Sequence, residues 1–297
     1  MSKRIIFTQS IWAMERRDPD GAERSAEENL DMIAAAGFDG ISGPCAEAAA
    51  ADALAGAAAA RGLAAQAEWQ CFPKTVDDLK PVLDFAAKWG GHHICLQPDV
   101  RPRRFEDCVP LLESWLRLSE QSPIPVWIET HRDRMTTDLY FTLDLLEAFP
   151  TMELVADLSH YLVGREFAWP VSAENHGYVN SILDRSRALH GRVASREQVQ
   201  IEISFAHHKP LVDQFLDWWE RAMRNYLLRP QDETPFAFNC ELGPRPYAIT
   251  DRDGRDTTDR WAEALQLRDL VRERWGGCRA VSRHLRLEEH NGGNGYE

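Results

Sequence analysis

Pro125-Val126-Trp127-Ile128-Glu129-Thr130-His131-Arg132-Asp133-Arg134 is the stretch on which the reading of this chain turns. Three bulky apolar residues run directly into a carboxylate, a histidine and two arginines. A short run of β-branched and aromatic residues reads as a buried strand. Charge arriving abruptly at its C-terminal end is what a strand shows when it delivers an acid into a pocket. A strand that ends in a solvated loop looks the same, because loops are usually polar. What separates the two readings is whether other strands end in the same manner.

Working outward, strand-like runs occur at residues 4–8, 38–42, 63–69, 92–97, 125–129, 152–157, 187–190 and 235–241. Helix-like stretches alternate with them. The first follows Ser25-Ala26-Glu27-Glu28, a capping-box pattern, and stops at Gly37. The others span residues 46–60, 75–89, 105–122, 137–148, 173–185, 209–228 and 258–275. The second is almost pure alanine, the best helix former, and is read as ordered helix. Strict strand–helix alternation predicts a parallel sheet. Eight such units in about 280 residues match a single-domain (β/α)8 barrel. An open doubly wound sheet would carry a glycine-rich turn after its first strand, whereas here that strand runs into Gln9-Ser10-Ile11-Trp12. The expected organisation is a barrel over residues 1–280 and a polar tail over 281–297, disordered from 288 onward.

Composition narrows the function classes. The chain has 297 residues, is 44% hydrophobic and carries a net charge of −13. That charge repels polyanions, so nucleic acid is not an expected partner. No apolar run approaches the roughly 20 residues of a membrane span, and the N-terminus lacks the apolar core of a signal peptide. A cytoplasmic protein is expected. The six cysteines lie far apart with no CxxC pair, which argues against a zinc ribbon or a disulfide framework. Nothing in the sequence opposes a homo-oligomer.

In a parallel barrel, catalytic groups sit at the C-terminal ends of the strands. The fifth strand ends in Glu129, the sixth in Asp157 followed by Ser159-His160, the seventh in His190 followed by Arg192, and the eighth in Glu241. Four consecutive strands thus each offer a metal-binding group to one quarter of the barrel mouth. Three converging carboxylates would raise one another's pKa values, and a divalent cation removes that penalty. Three oxygen donors and one imidazole suit Mn²⁺, Mg²⁺ or Co²⁺, with Zn²⁺ less expected.

The order Glu129, then Asp157-Leu158-Ser159-His160, then His190-Gly191-Arg192, then Glu241 resembles that of the xylose-isomerase-like barrels, the sugar phosphate isomerase/epimerase family. The run Glu241-Leu242-Gly243-Pro244-Arg245-Pro246-Tyr247 is similar to the eighth-strand ending of one branch of that group. The resemblance covers residues 4 to about 275. It implies one divalent metal held by Glu129, Asp157, His190 and Glu241, a small carbohydrate substrate, and Glu129 and Glu241 as the acid/base pair that moves a proton next to a carbonyl. It also implies that His160 and Arg192 hold substrate oxygens. Lyases and dehydratases of the same group, acting on oxidised sugars, glycosides or keto-inositols, begin with the same proton abstraction. The apurinic endonuclease branch uses more metals and more histidines than these strand ends supply. A non-catalytic sugar-binding barrel would lack ligands, and none of the four is missing.

Further residues are candidates for the pocket. His131 and Arg132 follow Glu129 directly. Glu68 and Gln97 are expected at the ends of the third and fourth strands, where they can bond sugar hydroxyls. Arg245 suits a substrate phosphate or carboxylate, with Tyr247 close by. Trp12, Trp69 and Trp127 can stack on a sugar ring or simply fill the core. His92-His93 is expected at the far end of the barrel in a structural role, and His207-His208 in a loop near the mouth.

Overall fold

The computed structural model describes residues 3–17, 22–229 and 233–292. Eight strands run in chain order: β1 (Ile5–Ser10), β2 (Gly40–Pro44), β3 (Glu68–Cys71), β4 (His93–Leu96), β5 (Val126–Glu129), β6 (Leu154–Ala156), β7 (Ser186–Gly191) and β8 (Phe236–Cys240). Each pairs in parallel with the next, and β8 pairs with β1, so the sheet closes into a barrel. Helices α1 (Ala26–Ala35), α2 (Ala48–Ala59), α3 (Lys80–Trp89), α4 (Phe105–Ser119), α5 (Leu139–Ala148), α6 (Ser159–Gly164), α7 (Ala173–Asp184), α8 (Lys209–Leu228) and α9 (Arg260–Gly292) follow the strands.

Local chemistry accounts for the helix starts. The Ser25 hydroxyl accepts from Glu28 N while the Glu28 carboxylate accepts from Ser25 N, completing the capping box. Asp138 and Ser172 cap α5 and α7 with their side chains. Proline stands in the first turn of α3 and of α8, where its missing N–H costs nothing.

Side-chain alternation divides the strand residues between two cores. Trp69 packs edge-on against Phe85 of α3, with ring centroids 5.0 Å apart, and Phe238 meets Trp219 of α8 at the same distance. These belong to the outer layer between barrel and helices. Inside the barrel a separate cluster holds only Ile6, Cys95, Trp127, Val155, Ala188 and Ala237. The other buried positions of the lumen include Thr8, Ser42, Glu68 and His93, so the lumen is unusually polar for this architecture.

Three elements differ from expectation. The third strand does not begin at residue 63: Ala64–Gln66 forms a 3-10 turn and β3 starts at Glu68. Leu63, Ala64 and Ala67 are buried in the outer core, so an apolar approach to the strand mimicked the strand itself. Glu68 therefore opens β3 instead of closing it. A short helix, α6, follows β6 directly and carries His160. The last helix passes the Gly276-Gly277 pair, because Trp275 and Cys278 on either side are both buried, which offsets the ~1 kcal/mol helix cost of each glycine. It continues to Gly292 across part of the expected tail; residues 293–297 lie outside those described. Among the described residues, no helix is long and apolar enough to cross a membrane.

Candidate active site

The ends of β5 to β8 deliver the four groups that the sequence singled out. Glu129 is the last residue of β5, and Asp157 stands just past β6. The two strand ends are tied by Thr130, whose hydroxyl accepts from Asp157 N (2.9 Å) and donates to Asp157 O (3.0 Å). His190 lies in β7 and Glu241 follows β8. All four are at least nine-tenths buried, with exposures of 1, 0, 0 and 5%. One ligand atom from each lies within 4.8 Å of the others.

The bonding of these side chains is asymmetric. Cys95 Sγ donates to Glu129 Oε2 at 3.0 Å. Asp157 Oδ1 accepts from the backbone and hydroxyl of Ser159 at 2.9 and 2.5 Å. His190 Nε2 faces Glu68, 3.0 Å from Oε1. The remaining atoms, Glu129 Oε1, Asp157 Oδ2, His190 Nδ1 and Glu241 Oε2, are all buried without a hydrogen-bond partner. Charged neighbours approach them: His190 Nδ1 is 2.9 Å from Glu241 Oε2 and 3.4 Å from Glu129 Oε1, and Arg192 reaches Asp157 Oδ2 at 3.2 Å and Glu241 Oε2 at 3.0 Å. Buried polar atoms are ordinarily satisfied. Four converging exceptions, three of them carboxylate oxygens and one an imidazole nitrogen, fit a divalent cation.

Electrostatics agrees with that geometry. Burial works against charge on Glu241, yet His190 and Arg192 pull its carboxyl down to about 2. Asp157 moves the other way, because burial outweighs Arg192 and raises it. His190 is held well above the usual imidazole range: burial opposes this, but Glu68, Glu241 and Glu129 overcome it. The site as it stands thus keeps a proton on His190 that a cation would replace.

A second set of side chains adjoins the four. The rings of His131 and His160 lie 4.0 Å apart. His160 is buried with no hydrogen bond on either ring nitrogen, its Nε2 being 3.4 Å from Asp157 Oδ2. Burial, then the neighbouring His131 and Arg192, push its pKa well below the usual value, so it is a neutral imidazole. The Arg192 guanidinium lies over Tyr247 (4.8 Å) and Trp12 (5.4 Å), and Arg132 lies over Tyr247 at 5.0 Å. Gly243 makes room for Trp12, since a Cβ there would come within 2.3 Å of its ring. Glu129, His131 and His160 also bring ligand atoms within 4.8 Å of one another, as do Glu68, Cys95 and His190, so the lumen holds more potential ligands than the strand ends alone suggest.

Other expectations are placed differently. Glu68 lies deep in the lumen and faces His190 and His93. Gln97 is buried just past β4, with its backbone N–H donated to Cys71 O at 2.9 Å. The Arg245 guanidinium is engaged by Arg16 O (2.8 Å) in the segment after β1 and by Asp256 (3.4 Å) in the segment after β8. Trp69 donates to Gly90 O in the outer layer, and Trp127 packs in the lumen 4.5 Å from His93. His208 Nδ1 bonds Glu202 O at 2.7 Å and helps to order its own loop. Sequence reading passed over Cys95 as a partner of Glu129. Two-residue alternation along β4, through His93, Cys95 and Gln97, was the signal that would have turned it inward.

No protein-family model and no curated protein matches the chain by sequence. Solved structures do match in shape. D-allulose 3-epimerase from Methylomonas sp., in complex with D-allulose, superposes with a TM-score of 0.59 at 14% identity, over 92% of this chain and 98% of that one. A xylose isomerase-like TIM barrel protein from Mycobacterium smegmatis, in complex with magnesium, gives 0.56 at 14% identity, over 90 and 97%. The probable 3-DHS dehydratase AsbF from Bacillus anthracis gives 0.55 at 11% identity, over 91 and 99%. The closed parallel barrel of this chain therefore has the fold of the xylose isomerase-like TIM barrels.

Proposed function

We propose that the protein is a divalent-metal-dependent isomerase or epimerase of a small, ketose-type carbohydrate. The observation that carries this reading is the convergence of four buried, hydrogen-bond-deficient atoms from Glu129, Asp157, His190 and Glu241. Those residues would hold the cation, with Mn²⁺, Mg²⁺ or Co²⁺ suited to so oxygen-rich a set. A cation there would supply Lewis acidity toward a substrate carbonyl. The chain's own groups do the rest. Glu129 and Glu241 take a proton from the carbon next to that carbonyl and return it. Cys95 fixes the rotation of Glu129 through Oε2, which leaves Oε1 turned toward His190. His160 and His131 offer ring nitrogens to substrate hydroxyls, and Arg192 offers a fixed charge beside Asp157 and Glu241. The aromatic faces of Trp12 and Tyr247 are positioned to cover a sugar ring, their centroids 5.1 Å apart. The complex of the Methylomonas epimerase with a ketose supports this substrate class.

A lyase that starts with the same proton abstraction and then expels a β-leaving group is the second reading, favoured by the dehydratase among the similar folds. Solvent exchange separates the two. Incubation with candidate ketoses in heavy water, followed by NMR, should show deuterium entering the carbon next to the carbonyl, with an epimer or isomer as product. Deuterium entry accompanied by an unsaturated product would favour the lyase. Conversion of a substrate with no deuterium at any carbon would remove proton abstraction from both.

A further inference from the structure

Glu68 is a buried carboxylate, 1% exposed, that the proton transfer described above does not use. Its oxygens face several groups: Ser42 Oγ at 2.6 Å, His190 Nε2 at 3.0 and 3.2 Å, His93 Nε2 at 3.0 Å and Gln70 Nε2 at 3.4 Å. An ionised carboxylate can only accept hydrogen bonds. The His190 Nε2, which bonds both Glu68 oxygens, must therefore present an N–H to it. For His190 this fixes the proton on Nε2 and turns Nδ1 toward Glu241 and Glu129, at 2.9 and 3.4 Å. The nitrogen left for a cation is Nδ1.

The far side of Glu68 is braced from the neighbouring strand, β4. His93 Nδ1 is 2.8 Å from His92 Nδ1, and His92 Nε2 is 2.9 Å from Pro235 O. A carbonyl also only accepts. The His92 ring therefore presents an N–H at Nε2 to Pro235 O. His93 stands behind Glu68, its Nε2 3.0 Å from the carboxylate, and holds it toward His190.

We propose that Glu68, braced by His93, is the positioning residue of the metal centre, locking His190 in the Nε2–H form so that Nδ1 meets the cation. This rests on the metal-dependent reading above. Ligating histidines commonly give their other N–H to a carboxylate, and loss of such a partner weakens metal binding about 10- to 100-fold. Glu68→Gln keeps the shape but removes the carboxylate charge that faces the His190 N–H from both oxygens. Titration calorimetry with Mg²⁺ should show that variant binding 10- to 100-fold more weakly than wild type. A role in packing alone would leave the affinity unchanged, since the replacement is isosteric. Glu68→Asp, which retains the charge, should recover part of the loss.

A second measurement needs no variant. Nitrogen NMR of ¹⁵N-histidine-labelled wild type, loaded with Mg²⁺, should show His190 with a protonated Nε2 and a ligated Nδ1. Equal Mg²⁺ affinity in wild type and Glu68→Gln, or the opposite His190 tautomer, overturns the positioning role and leaves the proposed function standing. Wild type that binds neither Mg²⁺ nor Mn²⁺ removes both.

Discussion

The two sides of the barrel lumen hold their carboxylates in opposite states. On the β1–β4 side, Glu68 accepts from Ser42 and faces His93 and His190, and Thr8 bonds Asn239 at 3.2 Å. On the β5–β8 side, Glu129, Asp157, His190 and Glu241 each turn one buried atom toward a common point and leave it without a hydrogen bond. Carboxylate and imidazole occur on both sides, so residue type does not distinguish scaffold from site. Bonding status does. A saturated buried carboxylate is a brace, and an under-bonded one is an attachment point for something the chain does not supply.

The most severe break of that contrast is Glu241→Gln. It removes both a proposed ligand and a proposed proton carrier while keeping the shape. Turnover should fall by on the order of 10³-fold or more, with the circular dichroism spectrum unchanged. Near-normal turnover would move the chemistry away from the under-bonded cluster. The next effect concerns protons. Against the pull of burial, Glu68, Glu241 and Glu129 hold His190 protonated well above the usual imidazole value. Below that raised pKa a cation must displace the Nδ1 proton, so binding tightens as pH rises, by about tenfold per pH unit for one released proton. Calorimetry with Mg²⁺ at pH 6, 7 and 8 reads this directly, and an affinity independent of pH would mean that His190 carries no proton for the cation to displace.

How much of this was legible in the sequence follows from what each signal depends on. Strand–helix alternation is local, so the closed eight-stranded barrel could be read from periodicity. The four strand-end groups were legible because position at the end of a strand is also local, and the topology fixed where those ends meet. Glu68 was placed at the wrong level because Leu63, Ala64 and Ala67 resemble strand residues while packing in the outer core. His93 was set apart as structural and distant, yet it reaches Glu68 on the adjacent strand at 3.0 Å. Such a contact depends on the register of neighbouring strands, here Glu68 opposite His93, and no single-strand pattern encodes it. The pairing of Cys95 with Glu129 and the close, tilted approach of the His131 and His160 rings are of the same kind.

The saturated side yields a smaller effect of a different sort. Ser42→Ala removes one donor to Glu68, 2.6 Å away and fully buried. The loss should cost about 1–3 kcal/mol of stability, visible as a lower urea midpoint, while three groups still face the carboxylate. Mg²⁺ affinity should then change by much less than in Glu241→Gln. A variant that kept its stability but lost its metal would reverse the assignment of brace and site.

The mildest test lies at the mouth. Gly243→Ala would set a methyl 2.3 Å from the Trp12 ring, well inside any real contact, so the indole must move. Trp12 touches Tyr247 and lies over Arg192, but it is no part of the four-atom cluster. The expected outcome is a several-fold rise in KM with kcat and Mg²⁺ affinity little changed, because binding shared by ground state and transition state is lost while the proton-moving groups stay in place. Steady-state kinetics together with calorimetry separates the two. A fall in metal affinity as large as that expected for Glu68→Gln would mean that the aromatic cover and the metal centre form one mechanical unit, and the division between wall, site and cover would have to be redrawn.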